Sequence, residues 1–127
     1  MPTDSQAPIW CTAAGKIYLS TLTKDDRVTL LKNLSLTAIT PATITDRDVL
    51  NQSLEQVAKL RYAISDEEYI AQAVAIAVAI NDTQGRYIGS LYTTAPKTRK
   101  SVEDLIGFVP DMQKAADDIR DAFFGEI

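Results

Sequence analysis

Three consecutive carboxylates, Asp66, Glu67 and Glu68, form the densest group of chemically active side chains in this sequence. Paired carboxylates can perform acid–base catalysis or bind a divalent metal ion. In an alternating strand, however, Asp66 and Glu68 point away from Glu67, which separates the oxygens that a shared site needs. We therefore expect a solvated turn in which one carboxylate accepts hydrogen bonds from backbone N–H groups.

The other residue types needed for catalysis or metal binding are scarce. The chain has one cysteine, Cys11, and no histidine, which excludes Ser-His-Asp and Cys-His nucleophiles and a Cys/His zinc site. The segment Ala14-Gly15-Lys16 is similar to the end of a phosphate-binding loop. It lacks the upstream glycine, and Ile17 stands where a magnesium-binding hydroxyl is needed. We predict no enzyme, no catalytic residue, no metal and no cofactor.

Length and charge limit the remaining possibilities. The 127 residues suit a single domain over 1–127, with residues 1–7 as a loose polar tail. A net charge of −4 gives no basic surface for nucleic acid or an anionic membrane, so neither is an expected partner. A lone cysteine suits a reducing compartment and indicates a cytoplasmic protein.

The elements that position these residues follow from hydrophobic spacing. Helical spacing begins near residue 12 and predicts three helices before residue 61, with Thr23 and Thr45 as helix caps and a Thr-rich loop over 35–45 that contains Pro41. Period-two spacing then predicts strands over 61–64, 70–80 and 86–94, with a hairpin loop over 81–85. A last helix starts after Ser101, and Pro110 should bend or interrupt it. The pattern predicts an α/β domain of the α+β type with a mainly antiparallel sheet.

The strand over 70–80 has an unusual composition. Its larger side chains fall on one face and a row of alanines falls on the other, so we expect a central strand that is covered on both sides. The space above the alanines must be filled, because protein interiors are close-packed. A helix lying close to the sheet is the more common solution, and a small-molecule cavity is the other. Tyr92 and Thr94 share a strand face and could offer two hydroxyls to a ligand, although both residue types are also common in strands.

Four motifs occur in the order found in one known family. The segment Thr12-Ala13-Ala14-Gly15-Lys16 resembles a T/S-x-A-G-K helix start, and residues 40–46 resemble a T-P-x-T-I-T-D segment. The run over 61–68 resembles a "GY-DxEE" corner, and residues 92–96 resemble the end of an S-x-S-G-P strand. Together they make the chain similar to the C-terminal effector-binding domain of IclR-type bacterial transcription regulators.

This resemblance implies a curved antiparallel sheet with packed helices, similar to GAF and profilin domains, and a cavity for an organic or aromatic acid. Backbone N–H groups at the start of the first helix would hold the carboxylate, here those of Ala13 and Ala14. The remaining matching positions that would line the cavity are Ser65, Ala73, Ala75, Tyr92 and Thr94. Ser65 and Tyr92 depart from the family pattern, in which an acidic residue and a serine are frequent, so we expect a less acidic and narrower cavity.

The resemblance also indicates which parts of the family's proteins have no counterpart in this sequence. The family's winged helix-turn-helix and the first strands of its effector domain have no match here. A sheet that lacks those strands has an open edge, and open edges recruit partners. We therefore expect a homo-oligomer that covers the sheet edge or an exposed apolar helix face. The expected function is non-catalytic effector binding in a transcription regulator; the alternative is a dimerisation or scaffold module without a ligand.

Overall fold

A computed structural model describes residues 8–125 of the chain, and the predicted tail over 1–7 lies outside them. Three helices are followed by three strands and two further helices. In chain order they are α1 (Ala13–Ser20), α2 (Lys24–Asn33), α3 (Arg47–Leu60), β1 (Ala63–Asp66), β2 (Ala73–Asn81), β3 (Tyr87–Pro96), α4 (Val102–Ile106) and α5 (Val109–Phe124). The strands form an antiparallel sheet in the order β1-β2-β3. The predicted α+β architecture is thus confirmed.

Two strand boundaries differ from the prediction because the chain adopts a left-handed backbone conformation at residues that are not glycine. Arg61, at φ 67°, ends α3, so β1 begins at Ala63 and not at residue 61. Gln72, at φ 65°, turns the chain into β2, which begins at Ala73 and not at residue 70. Positive φ is uncommon for residues with a Cβ atom, and composition gives no warning of it.

Helix starts were predicted well where a hydroxyl residue is followed three residues later by an acidic one. Thr23 caps α2 by accepting from the N–H of Asp26. Ser101 and Asp104 form a complete capping box at α4, as the spacing predicts. The prediction for α3 was wrong by one residue: the capping side chain is Asp46, which accepts from the N–H of Val49, and not Thr45.

The predicted last helix is divided into two. It stops at Ile106 and resumes at Val109, with Pro110 in the first turn of α5. Proline has no N–H to donate and is tolerated in the first turn, where helix N–H groups have no intrahelical acceptor. The prediction that Pro110 interrupts the helix is therefore confirmed.

The two faces of β2 pack against different helices, as its alternation predicts. The larger side chains meet α4 and α5 in one apolar cluster. Its buried members are Val74, Ile76, Val78, Leu105, Val109, Met112 and Ala116. The alanine face meets α1 and the end of α3 in a second cluster of Ala13, Ile17, Val57, Ala63 and Ala77.

Helix α1 is held against its surroundings by close packing. Leu19 joins a third cluster, between α2 and α3, with Leu31, Leu36, Leu50 and Leu54. A Cβ atom added at Gly15 would collide with the backbone of Ile9, so glycine permits this close approach. The start of α1 is consequently fixed over one end of the sheet.

Candidate functional site

The register of the sheet brings the predicted strand residues into rows. Ser65 of β1, Ala75 of β2 and Thr94 of β3 lie directly opposite one another across the three strands. Side chains directly opposite each other in antiparallel strands project to the same face. Tyr92 lies in the next row, opposite Ala77, and so also belongs to the alanine face.

Helix α1 covers only part of that face. At Ala77 the helix packs down through Ala13 and Ile17, whereas Ala73 and Ala75 remain half-buried beside a cavity of about 480 Å³. The cavity is lined by Thr12, Ala13, Ala14, Ser65, Tyr69, Ile70, Ala73, Val74, Ala75, Tyr92 and Thr94. Close helix packing and a cavity thus each occupy one end of the alanine face, and all seven predicted site residues lie around the cavity.

The start of α1 lines this cavity and carries backbone N–H groups that have no acceptor among residues 8–125. Thr12 caps the helix: its Oγ1 accepts from the N–H of Gly15 at 3.1 Å and donates to the carbonyl of Pro8 at 2.8 Å. Within residues 8–125, the N–H groups of Ala13 and Ala14 have no protein acceptor. The positive end of the helix dipole reinforces these donors, so this side of the cavity favours an anion.

The side chains around the cavity carry no formal charge. The polar groups among them are the hydroxyls of Thr12, Ser65, Tyr69, Tyr92 and Thr94, and alanine, valine and isoleucine supply the rest. Such a lining can hold an apolar ring or chain while fixed dipoles orient its polar ends.

Ser65 is less available to a ligand than its position in the sequence suggests. Its side chain is buried, and its Oγ donates to the carbonyl of Cys11 at 2.6 Å. Because this bond uses its only hydrogen, Ser65 can offer a ligand lone pairs but not a donor. Thr94 and Tyr92 are exposed, and their hydroxyls remain available.

Two residues of the cavity wall, Tyr69 and Ile70, were missed by sequence reasoning. Period-two spacing places Ile70 on the larger-residue face of the second strand, but that strand starts three positions later, at Ala73. Glu67, at φ 60°, and Gln72, at φ 65°, bend the intervening chain over the cavity mouth. The two wall residues remain 37 % and 58 % exposed, so they form a rim and not part of the core.

Ion pairs and a backbone hydrogen bond hold the acidic corner against the end of β3. Lys97 Nζ donates to Asp66 at 2.8 Å and to Glu67 at 3.1 Å, so these carboxylates converge and do not diverge as strand alternation predicted. Glu67 also accepts from the N–H of Gln72, which confirms that one carboxylate caps backbone. The hydrogen bond from Lys97 lowers the pKa of Glu67, and those to Asp66 and Glu67 raise the pKa of Lys97. Residues 8–125 contain no cluster of three metal-ligating groups.

The sequence also gives no indication of a buried ion pair between α1 and the acidic corner. Lys16 is 3 % exposed, and its Nζ donates to the carbonyl of Ile64 at 2.6 Å and to both Glu68 oxygens at 3.0 and 3.1 Å. Lysine is rarely buried without a partner. Because Glu68 lies far from Lys16 in the sequence, residue spacing does not reveal the pair.

Burial, and then the charge of Glu68, raise the pKa of Cys11 to about 11, which keeps the thiol inert at neutral pH.

A second, larger depression lies at the hairpin end of the sheet. It measures about 1040 Å³ and is bordered by Arg61, Arg86 and Arg120 with several other polar residues. Arg86 is bonded to Asp82 at 2.9 Å, and Arg120 to Asp117 at 3.3 Å. Its charges are largely paired with each other and open to solvent, and none of the predicted site residues lies there. The smaller cavity is therefore the better candidate site.

Comparison with known proteins identifies the family. The family model described as "Bacterial transcriptional regulator IclR C-terminal" matches residues 4–121. The chain belongs to the IclR family. IclR proteins are transcription regulators and not enzymes, which agrees with the non-catalytic role expected from the residues. Their C-terminal domains bind small-molecule effectors and form oligomers.

Curated relatives extend well beyond the part that is matched. The probable transcriptional regulator SauR of Cupriavidus necator is 31% identical over 119 residues, which cover 94% of this chain and 47% of SauR. The HTH-type transcriptional repressor AllR of Salmonella typhimurium is 30% identical over 121 residues, 95% of this chain and 44% of AllR. The chain thus spans less than half the length of these relatives, and the part of the family that it matches is the IclR C-terminal domain.

Solved IclR-type domains share the fold. The inducer-binding domain of an Acinetobacter PobR double mutant, in complex with 3-hydroxybenzoic acid, superposes with a TM-score of 0.85 at 30% identity and covers 89% of this chain and 65% of that one. The C-terminal domain of Escherichia coli KdgR gives 0.83 at 31% identity, covering 94% and 72%. Part of each solved domain therefore has no counterpart in these 127 residues. No helix among the described IclR-type residues is long and apolar enough to cross a membrane.

Proposed function

We propose that this chain is an effector-binding module whose ligand is an organic or aromatic carboxylate held between α1 and the alanine face. The observation that carries the proposal is the pair of backbone N–H groups at Ala13 and Ala14, which have no acceptor within residues 8–125 and belong to residues that line an uncharged cavity of about 480 Å³. The relative PobR, solved with 3-hydroxybenzoic acid, supports an aromatic acid as the first compound to test.

Each part of such a ligand has a matching environment. The carboxylate accepts hydrogen bonds from Ala13 and Ala14, where the helix dipole adds a favourable interaction of roughly 0.3–1 kcal/mol. The ring or chain lies on Ala73 and Ala75, because only small side chains leave depth there. The hydroxyl of Thr94 and the ring of Tyr92 contact the far end.

Binding would act on regulation by changing the populations of conformations that the domain adopts. Helix α1 provides the carboxylate donors, and Lys16 on the same helix is bonded to β1 and to Glu68. A ligand that contacts both α1 and the acidic corner stabilises the conformation in which these two segments lie closest to it. Attached or partner DNA-binding domains in the bacterial cytoplasm would respond, and a net charge of −4 argues against DNA contact by this chain.

A thermal-shift titration tests the proposal. Aromatic and aliphatic carboxylates, beginning with 3-hydroxybenzoate, are compared with their uncharged amides. A ligand that binds only the folded state adds roughly 2.7 kcal/mol of stability at one hundred times its dissociation constant. We expect the melting temperature to rise with carboxylate concentration and not with the amide. Flat curves for every acid would favour a dimerisation or scaffold module without a ligand.

A further inference from the structure

The rim of the cavity is a short segment, residues 67–72, with a left-handed residue at each end. Glu67 has φ 60° and Gln72 has φ 65°, and Tyr69 and Ile70, which line the cavity, lie between them. A left-handed conformation is strained for a residue with a Cβ atom, so it persists only where neighbouring groups hold it. The bonds at the two ends therefore decide where the rim residues lie.

The middle of the rim has little support of its own. Within residues 8–125, the N–H groups of Tyr69, Ile70 and Ala71 have no protein acceptor. The one described backbone bond to this stretch runs from the N–H of Ala73 to the carbonyl of Ile70, at 3.2 Å. The side chains of Tyr69 and Ile70 are exposed, so core packing does not fix them. Their position beside the cavity depends on the ends of the rim.

Glu67 connects those two ends. Its N–H donates to the carbonyl of Ala73 at 2.9 Å, and its carbonyl accepts from Thr40 Oγ1 at 2.5 Å. One carboxylate oxygen accepts from the N–H of Gln72 at 2.8 Å, and the other accepts from Lys97 Nζ at 3.1 Å. Every polar group of Glu67 is thus bonded, and its carboxylate links the first residue of the rim to the last.

The acidic corner does not need this carboxylate in order to fold. The carbonyl of Glu68 accepts from Thr43 Oγ1 at 2.6 Å, and the Glu68 carboxylate is paired with Lys16. These bonds hold the corner to the rest of the domain independently of the Glu67 side chain. Removing that side chain should therefore release the rim and leave the fold intact.

We propose that Glu67 is a positioning residue for the ligand of this cavity. Its side chain does not line the cavity, but it holds the rim so that Tyr69 contacts the bound carboxylic acid. A wall that is fixed before binding loses less conformational entropy on association, so the ligand binds more tightly. The part of this inference that concerns affinity rests on the proposed function, whereas the part that concerns the rim does not.

Amide hydrogen exchange tests the rim without any ligand. Glu67→Ala removes the acceptor of the Gln72 N–H and leaves a Cβ atom in the same strained conformation. Asp66→Ala is the matched control, because Asp66 shares Lys97 with Glu67 but accepts nothing from Gln72. We expect the Gln72 amide to exchange roughly tenfold faster in Glu67→Ala than in the control, with matching circular dichroism spectra. Equal exchange rates would overturn the proposal whether or not the chain binds an acid.

Calorimetry with 3-hydroxybenzoate tests the consequence for binding. Glu67→Ala should raise the dissociation constant roughly tenfold, whereas Asp66→Ala, which removes the same charge, should change it by less than about twofold. Glu67→Gln keeps an oxygen for the Gln72 N–H and should recover most of the affinity. Equal losses in Glu67→Gln and Glu67→Ala would attribute the effect to charge and refute the positioning role. If the unmodified protein does not bind the acid, the proposed function fails, and the exchange rates still decide what Glu67 does for the rim.

A double-mutant cycle tests whether Glu67 acts through Tyr69. A residue that acts only by placing the Tyr69 ring has no further effect once the ring is absent. In a Tyr69→Ala background we therefore expect Glu67→Ala to change the dissociation constant by less than about twofold. The full tenfold loss in that background would show that the two effects are independent and would contradict the proposal.

Discussion

Removal of the buried lysine offers the sharpest test of how the site is supported. Lys16 Nζ lies 3.0 Å from Glu68 Oε1, and the two side chains are only 3 % and 11 % exposed. Lys16→Met keeps the apolar stem but leaves the Glu68 carboxylate buried without a cation and the Ile64 carbonyl without a donor. Breaking a buried pair in this way costs about 3–5 kcal/mol. That is a large part of the total of roughly 5–15 kcal/mol that stabilises a domain.

Urea unfolding followed by circular dichroism measures this cost. The surface variant Lys114→Met is the matched control, because the Lys114–Asp118 pair is 76 % and 66 % exposed and should contribute less than about 1 kcal/mol. Lys16→Met combined with Glu68→Met removes both charges and should recover most of the loss, apart from the orphaned backbone groups. A loss below about 1 kcal/mol for Lys16→Met alone would show that Glu68 is solvated and would refute the assignment of a buried ion pair.

Three further predictions concern the cavity, the cysteine and the capping box. Ala75→Leu should fill the cavity and abolish carboxylate binding, at an overpacking cost of about 1–3 kcal/mol of stability. The exposed control Ala71→Leu should leave the carboxylate affinity measured by calorimetry unchanged. If Ala75→Leu binds carboxylates as tightly as the unmodified protein, the site lies elsewhere. Because the folded pKa of Cys11 is raised from 9.0 to about 11, its contribution to stability should be complete below pH 9 and decline as pH rises towards 11. Urea unfolding of Cys11→Ala should lack this decline, and an identical pH profile would contradict it. Ser101→Ala should cost about 0.5–2 kcal/mol in urea unfolding, and no measurable loss would show that the capping box is not needed to hold α4.

Much of the site could be predicted because it depends on local periodicity and on motif order. The alternation of β2 determines which residues face α1, and the hydrogen-bond register then aligns Ser65 and Thr94 with Ala75. The start of α1 follows from its cap, Thr12. These features depend on residues close in sequence or on pairing rules that every antiparallel sheet obeys.

The features that escaped prediction depend on contacts between distant residues. Lys16 and Glu68 are both charged, and only their meeting in the folded chain makes burial tolerable for either. Glu67 and Gln72 adopt left-handed backbone because surrounding bonds hold them there, including the one from Gln72 N–H to Glu67. Glutamate and glutamine rarely adopt positive φ, so the sequence does not predict these turns or the rim that Tyr69 and Ile70 form between them.

The most direct test of the central claim follows backbone amides during a titration. In ¹⁵N-resolved spectra of the full chain, 3-hydroxybenzoate and other aromatic carboxylates should shift the amides of Ala13 and Ala14 most strongly, with saturation. Smaller changes should appear at Ala75 and Thr94, and the corresponding uncharged amides should have little effect. Saturable shifts confined to the hairpin depression around Arg86, or no saturable shift with any acid tested, would contradict the assignment of the cavity as a carboxylate site.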